Sequence, residues 1–281
     1  MTQQIFEKYR DEFVEMYEEI CLRFVGMGYY LQQKLMNFNR YLESIEPHMK
    51  SYNREIVSRL QDQEPVMKLP SNGILQVFSW IFVLHLGYFF AQLAGAFVFH
   101  PLIGLFFGTF LACASIYLIL PIYLLVSLGA LAESESTDKD IRHRMLVVAV
   151  GQGVLTGYLF HNRHLVTMSP WAFVGALAVA FAAEFVAPNV GASRLAVLGS
   201  MVGTGFASHL FVGITFGQLS IPYVLLASLY ALIAYIVLQF YLKYNEINPK
   251  PYLYIFAFFL LSLYAELVVL AIFGIPYGKN G

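Results

Sequence analysis

Four ionisable side chains, His85, Glu184, His209 and Glu266, sit inside stretches made otherwise almost entirely of apolar residues. An ionised group at bilayer depth costs roughly 2.5–3.5 kcal/mol on insertion scales, so each needs a physical reason to be there. Glu266 needs one most. Counted from Tyr252 it lies 14 residues into its stretch, roughly 21 Å at the helical rise. His209, counted from Arg194, lies at about 22 Å by the same rise. The two reach similar depth if their helices face each other, and His85 sits nearer mid-stretch. A carboxyl at that depth must be protonated, paired or in contact with water, which is what a proton-sensitive or cation-binding site requires. The histidines have a plainer alternative, as neutral imidazoles hydrogen-bonded to Ser, Thr or backbone groups. Glu184 stands one turn before Pro188, and Arg194 opens the next stretch on the same side. A Glu184–Arg194 pair stapling two helix ends, a latch at one membrane face, is expected there.

The elements that must carry these groups are seven apolar runs, at about 74–98, 102–131, 145–160, 170–187, 194–216, 221–242 and 252–273. Runs of this length with so few charges fit a bilayer better than a soluble interior, and only helices satisfy their backbone polar groups within one segment. The third and fourth are short, near the lower limit. Hydrophobic residues make up 58% of the 281 and charged residues 12%, about half the charge of an average soluble domain. The expected fold is all-α: a seven-transmembrane-helix bundle at 73–281, preceded by a cytosolic amphipathic helical region at 1–72. The net charge of −1 points to no nucleic acid. Cys21 and Cys113 fall in different compartments of this plan and are not expected to pair. The first residues lack an apolar signal-peptide core, so the first span is expected to act as its own targeting signal.

Lys and Arg set the orientation. Of the 17 in the chain, only Arg163 and Lys279 fall on one side of the seven-run plan; the rest lie before the first run or in the alternate loops, such as Lys139, Arg142, Arg144 and Lys243. This places the N-terminus in the cytosol and the C-terminus on the far side, as a multi-pass integral membrane protein. The far-side connections are short, the first of them at His100-Pro101. A seven-span receptor would thread the other way.

In the N-terminal region, Phe6, Tyr9, Phe13, Met16, Ile20, Phe24, Met27, Leu31, Leu35, Phe38, Leu42 and Ile45 recur at steps of three and four. That is the period of an amphipathic helix or a coiled-coil seam. Pro47 ends it, and Pro65, Pro70 and Asn72-Gly73 form a hinge before the first run. The helix either folds against the bundle or another copy, or docks a partner protein. Glu7, Asp11, Glu12, Glu15, Glu18 and Glu19 argue against its lying flat on acidic lipid. Small residues at steps of four mark close packing. The fifth run carries Gly199, Gly203, Gly205 and Gly213, and the third carries Gly153 and Gly157, so these two helices are expected at the centre.

Over about 74–273 the order of motifs resembles the transmembrane Bax inhibitor motif family, which includes the Lifeguard proteins. A charged loop from Glu133 to Arg144 leads into a Gly-rich third run ending Leu155-Thr156-Gly157. The fourth opens Ala172-Phe173-Val174-Gly175-Ala176, and the fifth begins Val197-Leu198-Gly199. The sixth ends Tyr235-Ile236-Val237-Leu238-Gln239, and the seventh holds Ser262-Leu263-Tyr264-Ala265-Glu266. The resemblance implies residence in the endoplasmic reticulum or a related internal membrane, a passive, proton-sensitive calcium leak and modulation of cell death. It departs from the pattern in several places. The Gly-Pro after the third run is absent. Val237 stands where the first membrane aspartate of the family would fall. The second falls on Glu266 or, in the other alignment, on Ser262, one turn away on the same face. At most half of the paired-aspartate latch is present. The N-terminal helix is also longer than most members' leaders.

Three functions are open to such a chain. In the first the bundle leaks calcium, with Glu266 as cation or proton ligand, His209 as its neighbour and His85 nearby. In the second the bundle transports nothing and, held in the lipid bilayer, anchors a cytosolic helix, residues 1–45, that binds a partner or self-associates. The third is an enzyme. His161 and His164 form a His-x-x-His loop too sparse for a metal site, and no nucleotide loop, Ser-centred elbow or metalloprotease helix occurs. No cofactor or metal is expected.

Overall fold

The computed structural model describes residues 54, 56–58, 64–66, 69–133, 138–161, 163–164, 169–244 and 250–276. The chain divides into two units, 1–58 and 59–281. In the first, residues 54 and 56–58 are helical; the helix expected at 1–45 lies outside the described residues. The second unit carries every element from Ser71 onward.

The architecture of that unit is all-α apart from one two-residue ladder. The helices are α1 (Ser71–Ala94), α2 (His100–Phe106), α3 (Thr109–Ala114), α4 (Leu120–Glu133), α5 (Asp138–His161), α6 (Ala172–Phe185), α7 (Arg194–Thr215), α8 (Ile221–Tyr244) and α9 (Pro251–Phe273). Strands β1 (Arg163–His164) and β2 (Ile275–Pro276) pair antiparallel, with Arg163 opposite Pro276. Among the described residues, six stretches are long and apolar enough to cross a membrane: Ser71–Phe106, Thr109–Gly129, Ala172–Asn189, Arg194–Thr215, Ile221–Tyr244 and Pro251–Phe273. Helix α5 has the length but not the apolarity; its first turns hold Asp138, Asp140, Arg142 and Arg144, and its buried face holds Gln152 and Thr156. The six are greasy on the outside as well. No more than 44% of any is buried, and Phe97, Phe106, Phe110 and Ile221 are among the most exposed side chains. In water that surface would be one very large apolar patch.

Two prolines shape the first two long apolar stretches. A π-turn at Gly95–Phe99 joins α1 to α2 just before Pro101, and another at Ser115–Ile119 joins α3 to α4 just before Pro121. Proline offers no N–H to the preceding turn, and the wider π-turn absorbs the misfit without breaking the helix. The reversal expected at His100-Pro101 therefore does not occur there. The chain continues to Phe106 and reverses at Phe107 and Gly108, whose backbones are extended. Neighbouring side chains cap the carbonyls that these breaks leave. Tyr264 Oη donates to Tyr117 O at 2.7 Å, Gln152 Nε2 to Ile116 O at 3.0 Å, and Tyr158 Oη to Phe107 O at 2.9 Å. Apolar surroundings would otherwise leave those carbonyls unsatisfied.

Helix α1 is central and packs on α5, α6 and α9. A Cβ at Gly153 would fall on Tyr88 O, one at Gly157 on Gln92 O, and one at Gly95 on Val154 O. The backbones of α1 and α5 thus nearly touch, as the small residues of the third run predicted. Helix α7 is different. Gly205 and Gly213 pack inward against Val179 and Tyr223, but Gly199 and Gly203 face open space. It lies at the edge, against α6 and α8, because its small residues are divided between two faces. It ends in a Schellman cap: Gly217 has φ +62°, Gln218 N donates to Gly213 O at 2.8 Å and Gly217 N to Ile214 O at 3.1 Å.

Candidate functional site

Glu266 projects from α9 between α1 and α8. Tyr88 Oη donates to its Oε2 at 3.1 Å and Tyr230 Oη to its Oε1 at 2.8 Å. Both tyrosines are buried, and each carboxyl oxygen accepts one phenol. The acid is therefore neither in open solvent nor facing a second acid; it joins three helices. One turn along, His85 Nδ1 is 2.9 Å from Ile81 O and Nε2 is 2.6 Å from Ser262 Oγ. A carbonyl only accepts, so Nδ1 carries the hydrogen, and Nε2 of the neutral imidazole shares the Ser262 hydroxyl with Phe259 O, 2.8 Å from Ser262 Oγ. This is the plainer arrangement expected for a membrane histidine. Phe259 lies edge-on to both rings, 5.1 Å from His85 and 5.9 Å from Tyr88 between centroids.

His209 does not touch Glu266. It stands on the other side of Tyr230, ring centroids 5.7 Å apart, so the two expected neighbours share one tyrosine. Its ring occupies the space left by Gly175, where a Cβ would strike Nε2. Tyr223 Oη donates to its backbone oxygen at 2.7 Å, while Nδ1 is buried without a partner. A cavity of about 10 Å³ lies here, lined by Gly175, Gly205, His209, Tyr230 and Phe258 among others. That is room for one water at most.

Glu184 and Arg194 are not joined by an ion pair among the described residues. Arg194 is buried and its Nε donates to Gln239 Oε1 at 2.8 Å; Gln239 Nε2 in turn donates to Tyr235 Oη at 3.0 Å. Glu184 Oε2 is buried without a hydrogen-bond partner. His161, from the His-x-x-His loop, lies against His100 with ring centroids 3.7 Å apart and the rings tilted by 32°. Tyr88, Tyr230, Ser262 and Gln239 escaped the sequence reading as partners of these groups. The spacing did hold a signal: Tyr88 follows His85 by three residues and Ser262 precedes Glu266 by four, so each pair shares a helix face.

A sequence profile described as Interactor of ZYG-11 matches residues 1–276. The chain belongs to the Interactor of ZYG-11 family. No curated protein and no solved structure matches it. This overturns the resemblance to the Bax inhibitor motif proteins, and with it the calcium leak and the role in cell death. The ZYG-11 interactor profile takes in the polar N-terminal region that the resemblance left out. The geometry agrees with the correction. Val237, at the expected aspartate position, is buried among apolar side chains, and Glu266 is answered by phenols. The misleading motifs were small residues at helical spacing, which recur wherever apolar helices pack closely.

Proposed function

We propose that this protein is a multi-pass membrane anchor whose work is to bind a protein partner, of the ZYG-11 kind that gives its family its name. Seven helices cross the bilayer in this reading. The third, α5, is too polar to face lipid alone and is sheltered by α1 and the second pass. The Lys and Arg asymmetry puts the N-terminus in the cytosol, where residues 1–45 would meet the partner. The observation that carries the reading is the family match, which runs through the polar N-terminal region and the bundle alike. A second support is the bundle's interior. Glu266, His85 and Arg194 each make a hydrogen bond that ties one helix to another, which suits a scaffold. No reaction is assigned to the protein.

The test is co-purification from detergent extracts with tagged ZYG-11. The full chain is expected to recover ZYG-11, and a chain lacking residues 1–60 is expected to lose at least tenfold of it while remaining in the membrane fraction. Equal recovery by the shortened chain would move the interface to the bundle. No recovery by the full chain would defeat the proposal.

A further inference from the structure

Between α8 and α9, at the end of the bundle where α8 finishes and α9 begins, lies a groove of about 480 Å³. Its size falls within the roughly 300–1,000 Å³ of ligand clefts. Ile236, Val237 and Phe240 form one wall, and Leu253, Ala257 and Leu261 the other. The ends differ in chemistry. The deep end, at Val237 and Leu261, is wholly apolar; the mouth is lined by Lys250, Tyr244 and Tyr254. From Lys250 to Leu261 the groove follows α9 for roughly 16 Å at the helical rise. Lys250 has no carboxylate partner among the described residues, whereas the nearby Lys243 is paired with Glu64 at 3.3 Å. An ammonium with no carboxylate beside it among the described residues, at the head of a long apolar slot, is complementary to one kind of molecule, a negatively charged head on a hydrocarbon tail.

We propose that this groove holds one acyl chain of an acidic phospholipid, its phosphate on the Lys250 ammonium and the Tyr244 and Tyr254 hydroxyls beside it. The inference rests on the membrane-crossing reading above. Inside a bilayer there is no hydrophobic gain in moving a tail from lipid to protein, so selectivity must come from the head. One lysine at the surface corresponds to roughly fivefold enrichment of acidic over zwitterionic lipid. Val237 matters for the tail, since a carboxylate there would charge the floor of the slot.

The experiment uses the full chain in nanodiscs of equal phosphatidylserine and phosphatidylcholine, with retained lipid counted by native mass spectrometry after detergent release. Wild type is expected to keep one phosphatidylserine, enriched about fivefold. Lys250→Gln is expected to bring the ratio near unity, and Lys250→Arg to preserve it. Ala257→Trp, filling the slot, is expected to remove the retained lipid; if that variant does not fold, Leu253→Trp at the exposed lip serves instead. Equal retention of both lipids by wild type, or an unchanged ratio in Lys250→Gln, would overturn the proposal. So would a photo-crosslink from position 253 to residues 1–53 in place of lipid, which would make the chain's own N-terminal region the occupant. Extraction of the wild-type protein by alkaline carbonate without detergent would overturn the membrane reading itself, and is scored separately.

Discussion

Taking away the carboxyl of Glu266 would strand the hydroxyls of Tyr88 and Tyr230 in a largely buried site. An unsatisfied buried donor costs about 1–3 kcal/mol, so Glu266→Ala is predicted to lower stability by roughly 2–4 kcal/mol. The readout is thermal or denaturant unfolding in detergent. Glu266→Gln is predicted to lose less than half as much, because an amide can accept from one phenol and donate to the other. Tyr88→Phe and Tyr230→Phe should each cost about 1 kcal/mol and fall short of additivity when combined, since both act through one carboxyl. Additive effects in that cycle would mean the two bonds are independent. At this scale the sequence was half legible. Glu266, His85 and His209 stand out because charge and imidazole are expensive in apolar runs. Their partners do not, because a phenol or hydroxyl in such a run is ordinary. Arg194 shows the limit of looking only for opposite charge: the amide of Gln239, 45 residues on, accepts from its guanidinium.

Glycines sort the helices into those that touch backbone to backbone and those that do not. Gly157→Leu and Gly153→Leu would force α1 and α5 apart, since even a Cβ meets carbonyl oxygens there. They are predicted to abolish the monodisperse peak in detergent gel filtration. Gly199→Leu and Gly203→Leu on the open side of α7 are predicted to leave that peak and the unfolding midpoint unchanged. If all four behaved alike, the packing order would be wrong. Spacing alone could not separate the two pairs, because both read as small residues at steps of four. What separates them is which neighbour lies across the face, a tertiary fact. The turn at Phe107 and Gly108 was hidden in a similar way. Pro101 looks like a loop residue until a π-turn accommodates it within the helix.

Over the whole molecule, the number of membrane crossings decides where the termini lie. Seven crossings put them on opposite faces and six put them on the same face. An impermeant maleimide applied to sealed vesicles, with single cysteines introduced near Thr2 and near Gly281, is predicted to label only one of the two. Labelling of both, or of neither until detergent is added, would exclude α5 as a crossing. Composition and run length were enough to read the all-α class, because long apolar runs offer their backbone polar groups few partners except within a helix. The family was not legible from the same features, since membrane packing reuses them in unrelated proteins. The close fit of α5 into α1 also bears on how the chain is made. A ribosome delivers it from the N-terminus, so α1 is already in place when α5 arrives with its charged first turns and its glutamine. If the proposed seven crossings hold, α5 enters by leaning on α1, and damage to α1 should stall biosynthesis at α5 even where α5 itself is intact.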